Sequence, residues 1–354
     1  MLKPYLKKTL FLLLFAVSFV IVILYSSAWF ITLTEARDKH IPYLGNQPEN
    51  ILLAEKDIST PFQFGVLGDI QQGIAGMKRL LDKLSQQTEK ISFLVITGDA
   101  ACRGDEYHYR FLISEIEECG IKIPIFIVPG NHDFKIGKEN YNKSLFEEYF
   151  GFREFSFISH NCLFVILDNA LTPLQQTQYK WLENLLNKYR PSVSKIFVFM
   201  HRPPINGPGY DKDKDSTEIS FRQFHELVKK YHIDYVFSGH AHTFFRCNRD
   251  DCNYVVNGLG GDYDAGQGDW PFSSRPFPPA LMTKIEVSGD KVDEEIIGAA
   301  GGKSWWDEYE HLCIAHLYPI MDKHPVLSTI FIIVSMGFLV FSVLKLIALY
   351  RNKN

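Results

Sequence analysis

The sequence predicts an α/β domain whose parallel strands are covered by helices, set between two hydrophobic segments of membrane-spanning length. Short apolar runs alternate with helical patterns from Pro61 onward, and the runs lack polar alternation, which is typical of strands buried on both faces. Residues 10–33 carry no charge, and residues 326–350 carry only Lys345. Each segment is long enough, as a helix, to cross the hydrocarbon core of a bilayer.

Residues 10–33 are predicted to be a transmembrane helix or signal anchor, and residues 326–350 a second transmembrane helix. A buried core helix is the alternative for such a segment, but core helices of this length normally carry a polar face. A cleaved signal peptide is the alternative at the N-terminus, because the small residues 26–28 suit a signal peptidase. The apolar run continues beyond those residues, which favours an uncleaved anchor.

Basic residues at the outer flanks of both segments set the predicted orientation. Three lysines lie within residues 1–9, and Arg351 and Lys353 follow the second segment, whereas the inner flanks carry mixed charge. Positive residues favour the cytoplasmic side of a membrane. The sequence therefore predicts a two-pass membrane protein with cytoplasmic ends at residues 1–9 and 351–354. The domain between the segments would be extracytoplasmic, facing the periplasm, a lumen or the exterior.

The middle of the chain divides into a polar linker over residues 34–60, a main domain over residues 61–300 and a juxtamembrane segment over residues 301–325. Apolar runs predict strands over residues 62–69, 91–99, 121–130, 162–168, 195–201 and 234–240. Helical patterns cover residues 76–90, 106–119, 175–189 and 217–231. From Thr243 onward the pattern changes to strands of the hairpin type.

The charge balance excludes one class of partner. The 354 residues include 37 Lys and Arg against 41 Asp and Glu, which gives a formal net charge of -4. A protein that binds nucleic acid by bulk charge shows a basic excess or a basic stripe. We therefore expect no nucleic-acid partner.

Five of the predicted strands end in Asp, Asn or His. The residues are Asp69 with Gln71, Asp99, Asn131 with His132 and Asp133, His201, and His240 with His242. Taken singly, each fits a turn or a structural role, but ligands gather at the carboxyl ends of parallel strands, and five such ends predict a metal site. Two metals about 3.5–4 Å apart need a shared oxygen ligand, and a carboxylate such as that of Asp99 can bridge them.

These motifs (Asp-x-Gln, Gly-Asp, Gly-Asn-His-Asp, a strand-end His and Gly-His-x-His) stand in the order of the calcineurin-like metallophosphoesterases, which residues 62–297 resemble. The resemblance implies a four-layer αββα sandwich with a binuclear metal centre. It implies that one metal is held by Asp69, Gln71, Asp99 and His242, and the other by Asp99, Asn131, His201 and His240. It also implies that His132 contacts the phosphate and protonates the leaving group, with Asp133 orienting His132.

Gln71 departs from the common first motif of that family, Asp-x-His. A glutamine occurs there in some members related to nucleotide-diphosphate hydrolases. An amide oxygen is a harder and weaker ligand than imidazole, so we expect looser binding at that metal and a preference for Mn²⁺, with Fe or Zn also fitting the mixed ligands. The alternative interpretation is that Gln71 marks a lost first metal.

The predicted function is that of a membrane-anchored phosphoesterase with two divalent metal ions, in which a metal-bridging hydroxide attacks a phosphoester or pyrophosphate bond. The expected partners are the bilayer and a phosphorylated small molecule or lipid headgroup, such as a lipid-linked phosphate or a nucleotide or headgroup diphosphate. The rival hypothesis is a non-catalytic receptor or scaffold with a degenerate phosphatase fold. The sequence identifies no protein partner.

Two further pairs of residues have predicted roles, one in a disulfide and one in substrate binding. Cys247 and Cys252 flank a predicted hairpin tip, and we expect a disulfide between them in an extracytoplasmic domain. A zinc knuckle is less favoured, because no second cysteine pair lies near. Arg202 and Arg275 are candidate substrate-binding residues, the second of them within the Gly-, Pro- and aromatic-rich residues 258–279. The alternative for that stretch is a surface loop packed by its own aromatic rings.

Overall fold

The structure is a computed structural model that divides the chain into two units. It describes residues 4–34, 42–57, 61–71, 73–86, 91–135, 141–206, 218–261, 280–301 and 304–351. One unit, here called the terminal helical unit, combines Met1–Asp38 with Trp305–Asn354. The other, the α/β unit, is Lys39–Ser304.

Eleven strands of the described residues form two sheets in the α/β unit. The first sheet contains β1 (Phe62–Leu67), β2 (Phe93–Ile96), β3 (Ile125–Ile127), β10 (Ala280–Ser288) and β11 (Lys291–Ala299), in the order β11-β10-β1-β2-β3. The second contains β4 (Phe155–Ser159), β5 (Cys162–Ile166), β6 (Lys195–Phe199), β7 (Tyr235–Ser238), β8 (Phe244–Arg249) and β9 (Cys252–Asn257), in the order β4-β5-β6-β7-β9-β8.

The strands that precede the predicted site residues are parallel to their neighbours. β1, β2 and β3 run parallel in the first sheet, and β5, β6, β7 and β9 run parallel in the second. The strands after Thr243 form two antiparallel hairpins, β8–β9 and β10–β11, as predicted. β4 pairs antiparallel with β5 and was not predicted. The polar residues that follow β1, β2 and β3 therefore leave their sheet at the same edge.

The α/β unit contains seven described helices, and at two of them the N-cap side chain accepts a backbone hydrogen bond. The seven helices are α2 (Pro48–Lys56), α3 (Ile74–Ser85), α4 (Glu106–Glu118), α5 (Asn131–Phe134), α6 (Lys143–Phe150), α7 (Gln176–Tyr189) and α8 (Arg222–Tyr231). The Asp105 side chain accepts a hydrogen bond from the His108 N–H at the start of α4, at 3.1 Å. The helix predicted over residues 217–231 begins instead with a 3₁₀ turn, Glu218–Phe221, before α8.

The α/β unit is a four-layer αββα sandwich, as the family resemblance implied. Phenylalanines from both sheets, including Phe64 and Phe164, fill the space between the sheets. On the outside of the second sheet, α7 and α8 pack Leu182 and Phe224 against the strands. On the outside of the first sheet, α3 packs against β10 and β11. Each sheet is thus apolar on both faces, which explains the continuous apolar runs in the sequence.

Residues 42–57 are a packed part of the α/β unit, whereas the sequence predicted a linker over residues 34–60. Leu44 forms a parallel bridge with Ile125, and the Phe152 N–H donates to the Asn46 side chain at 2.9 Å. α2 follows and buries Ala54. The segment is short and largely polar, so its hydrophobic pattern was too weak to predict a helix.

The terminal helical unit contains the two hydrophobic segments. Its described elements are α1 (Pro4–Thr34), α9 (Trp305–His311), a π-helical turn (Leu312–Leu317), α10 (Tyr318–Lys323) and α11 (Pro325–Arg351). Within α1 and α11, Thr9–Ile31 and Pro325–Lys345 are long and apolar enough to cross a membrane, by length and composition. α1 and α11 pack antiparallel. The Phe11 ring lies 5.8 Å from the Phe341 ring, and the Tyr25 ring, later in α1, lies 5.5 Å from the Phe331 ring, earlier in α11.

Replacing Phe64 by alanine is expected to lower the free energy of unfolding by about 3–5 kcal/mol, because it leaves a cavity between the sheets. The Phe64 ring is fully buried and neighbours six other phenylalanine rings, at positions 62, 93, 164, 197, 199 and 237. The measurement is the urea midpoint of the purified full chain in detergent. The control is Phe152→Ala, since Phe152 is 70% exposed and its loss should cost less than about 1 kcal/mol. Equal losses would contradict the packing argument.

Candidate metal centre

The ends of β1 and β2 bring two buried carboxylates together. Asp69 follows β1, Asp99 follows β2, and each is almost fully buried. The Asp69 N–H donates to the Gly98 carbonyl at 2.9 Å, which ties the two strand ends to each other. One ligand atom from each of Asp69, Asp99 and His201 lies within 4.8 Å of the others. This group combines two carboxylates with one imidazole in a buried place, which suits a divalent cation.

The first ligand set joins Asp69, Gln71, Asp99 and His242. The Asp69 Oδ1 lies 3.4 Å from the His242 Nε2, and the Gln71 Nε2 donates to the Asp99 Oδ2 at 2.9 Å. The Gln71 Nε2 also lies 3.3 Å from the His242 Nε2. All four residues that the resemblance implied for one metal are therefore neighbours, and the Gln71 side chain contacts Asp99 and His242.

The second set joins Asp99, Asn131, His201 and His240. The His201 Nε2 lies 3.0 Å from the Asn131 Oδ1, 3.4 Å from the Asp99 Oδ1 and 3.2 Å from the His240 Nδ1. These are the residues that the resemblance implied for the other metal. Asp99 belongs to both sets, with Oδ2 facing Gln71 and Oδ1 facing His201. A carboxylate in this position can bridge two cations.

Five of the predicted ligands adopt left-handed backbone conformations that side chains rarely tolerate. Positive φ values occur at Asp69 (57°), Gln71 (45°), Asp99 (51°), His240 (67°) and His242 (42°). Each such residue costs of the order of 1–3 kcal/mol, and strain of this kind clusters at functional sites. Hydrogen bonds hold the turns, since the His240 N–H donates to the Asp69 Oδ2 at 2.7 Å.

Two glycines allow the strand ends to approach each other. Gly98 has a φ of +88°, and a Cβ there would collide with the His201 ring. A Cβ at Gly239 would collide with the Asp69 carboxylate. The glycines of the Gly-Asp and Gly-His-x-His motifs are therefore required by the closeness of the facing ligands.

The histidines of the site differ in their ionisation. Burial lowers the pKa of His201 to about 3, so its imidazole is neutral. The His201 Nδ1 lies 2.9 Å from the Thr97 carbonyl and donates to it, which leaves the lone pair on Nε2 directed at the second ligand set. Burial opposes charge on His242 as well, but the hydrogen bond and charge of Asp69 outweigh it and raise the pKa of His242.

The structure corrects the expected role of Asp133. Its carboxylate accepts hydrogen bonds from the Ala101 and Gly130 N–H groups, both at 2.8 Å, because the first turn of α5 directs it into the protein. The His132 Nδ1 instead lies 3.0 Å from the Cys102 carbonyl. Burial and the negative charge of Asp99 raise the pKa of Asp133 above its ordinary value. Asp133 therefore holds the loop backbone, and the Cys102 carbonyl orients His132.

Asn169 is a buried residue of the site that the sequence reasoning missed. It follows β5, and its Oδ1 accepts hydrogen bonds from the His201 N–H at 3.0 Å and the Arg202 N–H at 2.9 Å. Its Nδ2 donates to the Arg202 carbonyl at 2.8 Å. The signal was available, because Asn169 directly follows Asp168, which ends an apolar run as Asp69 and Asp99 do.

The two predicted substrate-binding arginines have different outcomes. The Arg202 Nε donates to the Ala170 carbonyl at 2.9 Å, so the side chain is anchored to the loop after β5. It immediately follows His201, beside the second ligand set. Arg275, with the rest of residues 262–279, lies outside the described residues, and its role stays a prediction.

The expected disulfide between Cys247 and Cys252 is absent, because both are free thiols. Across the β8–β9 hairpin, Cys247 pairs with Tyr254 and Cys252 pairs with Arg249. The cysteines are therefore diagonal neighbours, which lie about 7–8 Å apart. A disulfide normally needs Cα atoms closer than about 7 Å. The position of the hairpin turn, which the sequence left open, thus disfavours the bridge.

Three comparisons with known proteins relate this geometry to characterised families. The sequence model described as calcineurin-like phosphoesterase matches residues 62–244. Purple acid phosphatase 15 of Arabidopsis thaliana is 30% identical over 206 residues, covering 52% of this chain and 37% of that protein. A "probable glycerophosphodiester phosphodiesterase" of Arcobacter nitrofigilis is 26% identical over 164 residues, covering 43% of this chain and 57% of that protein. The chain thus spans well under two thirds of either relative.

The fold is also similar to that of a solved structure, purple acid phosphatase PPD1 from yellow lupin (Lupinus luteus) seeds. The TM-score is 0.52 and the sequence identity is 16%, over 69% of this chain and 52% of that one. At this identity the likeness concerns the fold alone, and it matches the two-sheet architecture described above.

Gly98→Ala is expected to reduce the divalent metal bound per chain, because the new Cβ displaces the His201 ring. The measurement is the bound Mn²⁺ after equilibrium dialysis, by elemental mass spectrometry. The matched control is Gly289→Ala: Gly289 also has a positive φ, +62°, but nothing lies within 4 Å of its added Cβ. Both variants should lose about 1–2 kcal/mol of stability from backbone strain. Equal metal content in the two variants would contradict the prediction.

Proposed function

The chain belongs to the calcineurin-like phosphoesterase family, and we propose that it is a membrane-anchored, metal-dependent hydrolase of a phosphoester or pyrophosphate bond. One observation carries the proposal: the Asp99 carboxylate stands between two ligand sets, with one oxygen in contact with each. A single metal or a structural turn does not need such a shared carboxylate.

The residues fit two divalent cations by their chemistry. Asp69, Gln71, Asp99 and His242 would hold one cation, and Asp99, Asn131, His201 and His240 the other. Carboxylate, amide and imidazole ligands together suit Mn²⁺, with Fe or Zn as alternatives. When bound, two such cations neutralise phosphoryl oxygens and make a water molecule a nucleophile at neutral pH. The low pKa of His201 supports this role, because metal ligation requires a neutral imidazole.

His132 is the proposed proton donor to the leaving oxygen. The Cys102 carbonyl accepts from its Nδ1, so Nε2 is the nitrogen that can deliver a proton. The His132 N–H donates to the Asp99 Oδ1 at 2.8 Å, which places the residue beside the shared carboxylate. The imidazole is half-buried and therefore reachable from solvent. Asp133 and Asn169 act indirectly, by holding the backbone on either side of the ligands.

The proposed substrate is a phosphorylated small molecule or a lipid headgroup. One relative is named as a phosphatase and another as a phosphodiesterase, so both ester classes are represented among similar proteins. Gln71 favours a pyrophosphate bond in a nucleotide or headgroup diphosphate, by the resemblance described above. Arg202, and Arg275 within the Gly-, Pro- and aromatic-rich residues 258–279, are proposed contacts for the anionic substrate.

The proposed anchoring rests on the terminal helical unit. α1 and α11 are apolar along their length, and large side chains such as those of Phe30 and Val326 are exposed on them. Exposed apolar surface of that extent requires a lipid environment or a partner. Basic residues lie beyond the apolar span of each helix, and the two helices pack antiparallel. Together these observations support a two-pass arrangement with cytoplasmic ends and an extracytoplasmic α/β unit.

His132→Asn is expected to lower kcat by about 10²–10⁴-fold for substrates with a poor alkyl leaving group. It should matter little for p-nitrophenyl esters, whose leaving group needs no proton. The measurement compares the purified full chain and the variant, with Mn²⁺, on p-nitrophenyl and alkyl phosphodiesters and on nucleotide diphosphates. Bound Mn²⁺ should be unchanged, because the imidazole of His132 is not a proposed ligand.

Asp99→Asn is the companion variant, and it should lose both bound metal and all activity. A uniform loss over every leaving group in His132→Asn would refute the proton-donor role. Wild-type turnover in Asp99→Asn would refute the proposed centre. An inert wild-type protein that binds no Mn²⁺ would favour the receptor or scaffold hypothesis.

Gln71→His is expected to tighten Mn²⁺ binding at the first ligand set, because imidazole is a stronger ligand than an amide oxygen. The expected effect is about tenfold in the weaker of two dissociation constants, measured by calorimetry. Gln71→Ala is the control and should weaken the same step, leaving the tighter step unchanged. If neither variant changes the weaker constant, Gln71 is not a ligand and the interpretation of a lost metal gains support.

A further inference from the structure

The part of the chain that leads into α11 exposes large aromatic side chains. It consists of α9, the π-helical turn and α10, here called together the juxtamembrane helices. Trp305 and Trp306, the tryptophan pair, are 76% and 44% exposed, and their rings lie 5.6 Å apart. Leu312 is also exposed and comes seven residues after Trp305, which places both on the same side of the helix. Neither the proposed spans nor the proposed hydrolytic chemistry uses this surface.

Another side of the juxtamembrane helices packs on α1. The π-helical turn and α10 contact α1, and Ile314 and Met321 of these elements are buried. Tyr309, in α9, forms a side-chain hydrogen bond with Ser27 of α1. The tryptophan pair is therefore not part of the surface by which these helices are attached to the terminal helical unit.

The contact with Ser27 sets the level of the tryptophan pair along the proposed span. Ser27 lies four residues before the end of Thr9–Ile31, which is a distance of about 6 Å along a helix. The Trp306 ring lies 5.9 Å from the Tyr309 ring, so the pair is held close to this level. The second span begins at Pro325, directly after the juxtamembrane helices. The exposed rings thus lie near the boundary of the hydrocarbon region that the two spans define.

A bilayer is the partner that fits this surface. Tryptophan is enriched where hydrocarbon meets the headgroups, because its large apolar ring and its polar N–H suit the two environments. Helices that lie in this region carry Trp, Phe or Leu on the side that enters the lipid. A protein partner could also cover exposed rings, but the surface is continuous with two spans of membrane length, which favours lipid.

We propose that the juxtamembrane helices lie in the headgroup region of the bilayer and that the tryptophan pair inserts into the lipid there. The pair is then a third membrane contact, beside the two spans, on the side of the membrane where α1 ends and α11 begins. The inference rests on the proposed membrane anchoring and is independent of the proposed hydrolase chemistry.

The test measures tryptophan fluorescence of the full chain in phosphatidylcholine nanodiscs that contain brominated lipid, which quenches the rings it touches. The contribution of the pair is the wild-type emission minus that of a variant combining Trp305→Phe and Trp306→Phe. Bromine near the glycerol end of the acyl chains should quench this contribution about twofold more than bromine near the methyl end, because interfacial helices are buried only about 5–10 Å. Iodide, which stays in the water, should quench it little.

Trp181 is the matched control, since it packs against the core of the α/β unit. Its contribution, obtained from Trp181→Phe, should not respond to brominated lipid. Equal quenching of Trp181 and the pair by brominated lipid, or quenching of the pair by iodide alone, would overturn the proposal. If the double variant does not fold, Trp305→Phe alone gives the same comparison for one exposed ring.

Trp29 separates this inference from its premise, because it is exposed and lies within the span Thr9–Ile31. Its contribution, obtained from Trp29→Phe, should be quenched by brominated lipid if α1 crosses the bilayer. Quenching of Trp29 without quenching of the pair would overturn the inference and leave the anchoring as it stands. Quenching of neither would overturn both, and would leave the metal-dependent chemistry unaffected, because turnover is not the readout.

Discussion

Two buried carboxylates, those of Asp69 and Asp99, face each other where two parallel strands end, and the rest of the site is arranged around them. Like charges so placed repel each other, and a low-dielectric surrounding magnifies the effect. Backbone N–H groups of His240 and His132 donate to them, which offsets part of the cost. Asp133 is affected by the same repulsion, since burial and the Asp99 charge raise its pKa. Divalent cations would relieve this repulsion directly, which is why the same residues are predicted to be metal ligands.

The fold supports that arrangement by rigidity elsewhere. Left-handed backbone at five ligand positions stores strain, and a loosely packed scaffold would relax it by moving the strand ends apart. Between the sheets, the rings of Phe64 and Phe164 pack edge to face at 5.3 Å, within a buried cluster drawn from both sheets. The packing of the aromatic interior therefore holds in place the strands whose polar ends must stay close together.

The apolar runs predicted the parallel strands, and the resemblance to the family implied the αββα layers. The residues of the two implied ligand sets lie together in the structure, and their role as metal ligands stays a prediction. The direction in which a side chain points was harder to predict from the sequence. Asp133 was expected to orient His132, but a one-turn helix, α5, directs it to backbone N–H groups instead. Asn169 was missed because no glycine precedes it in the sequence, whereas a glycine directly precedes Asp69 and Asp99. Whether Cys247 and Cys252 can form a disulfide depends on the register of the hairpin. The position of α2 depends on contacts with the region around Phe152, which is distant in sequence. Neither feature can be predicted from the local hydrophobic pattern.

Under the proposed anchoring, the two connections of the α/β unit to α1 and α11 determine how that unit could be released from a membrane. A domain carried on one anchor is shed by a single proteolytic cut. Here the chain enters the α/β unit from α1 and returns to α11, so one cut on either side leaves the other connection intact. Release would require two cleavages, one before residue 42 and one near residues 301–304. Under the proposed anchoring, the protein would be retained on a membrane even where proteases cut one of its connecting segments.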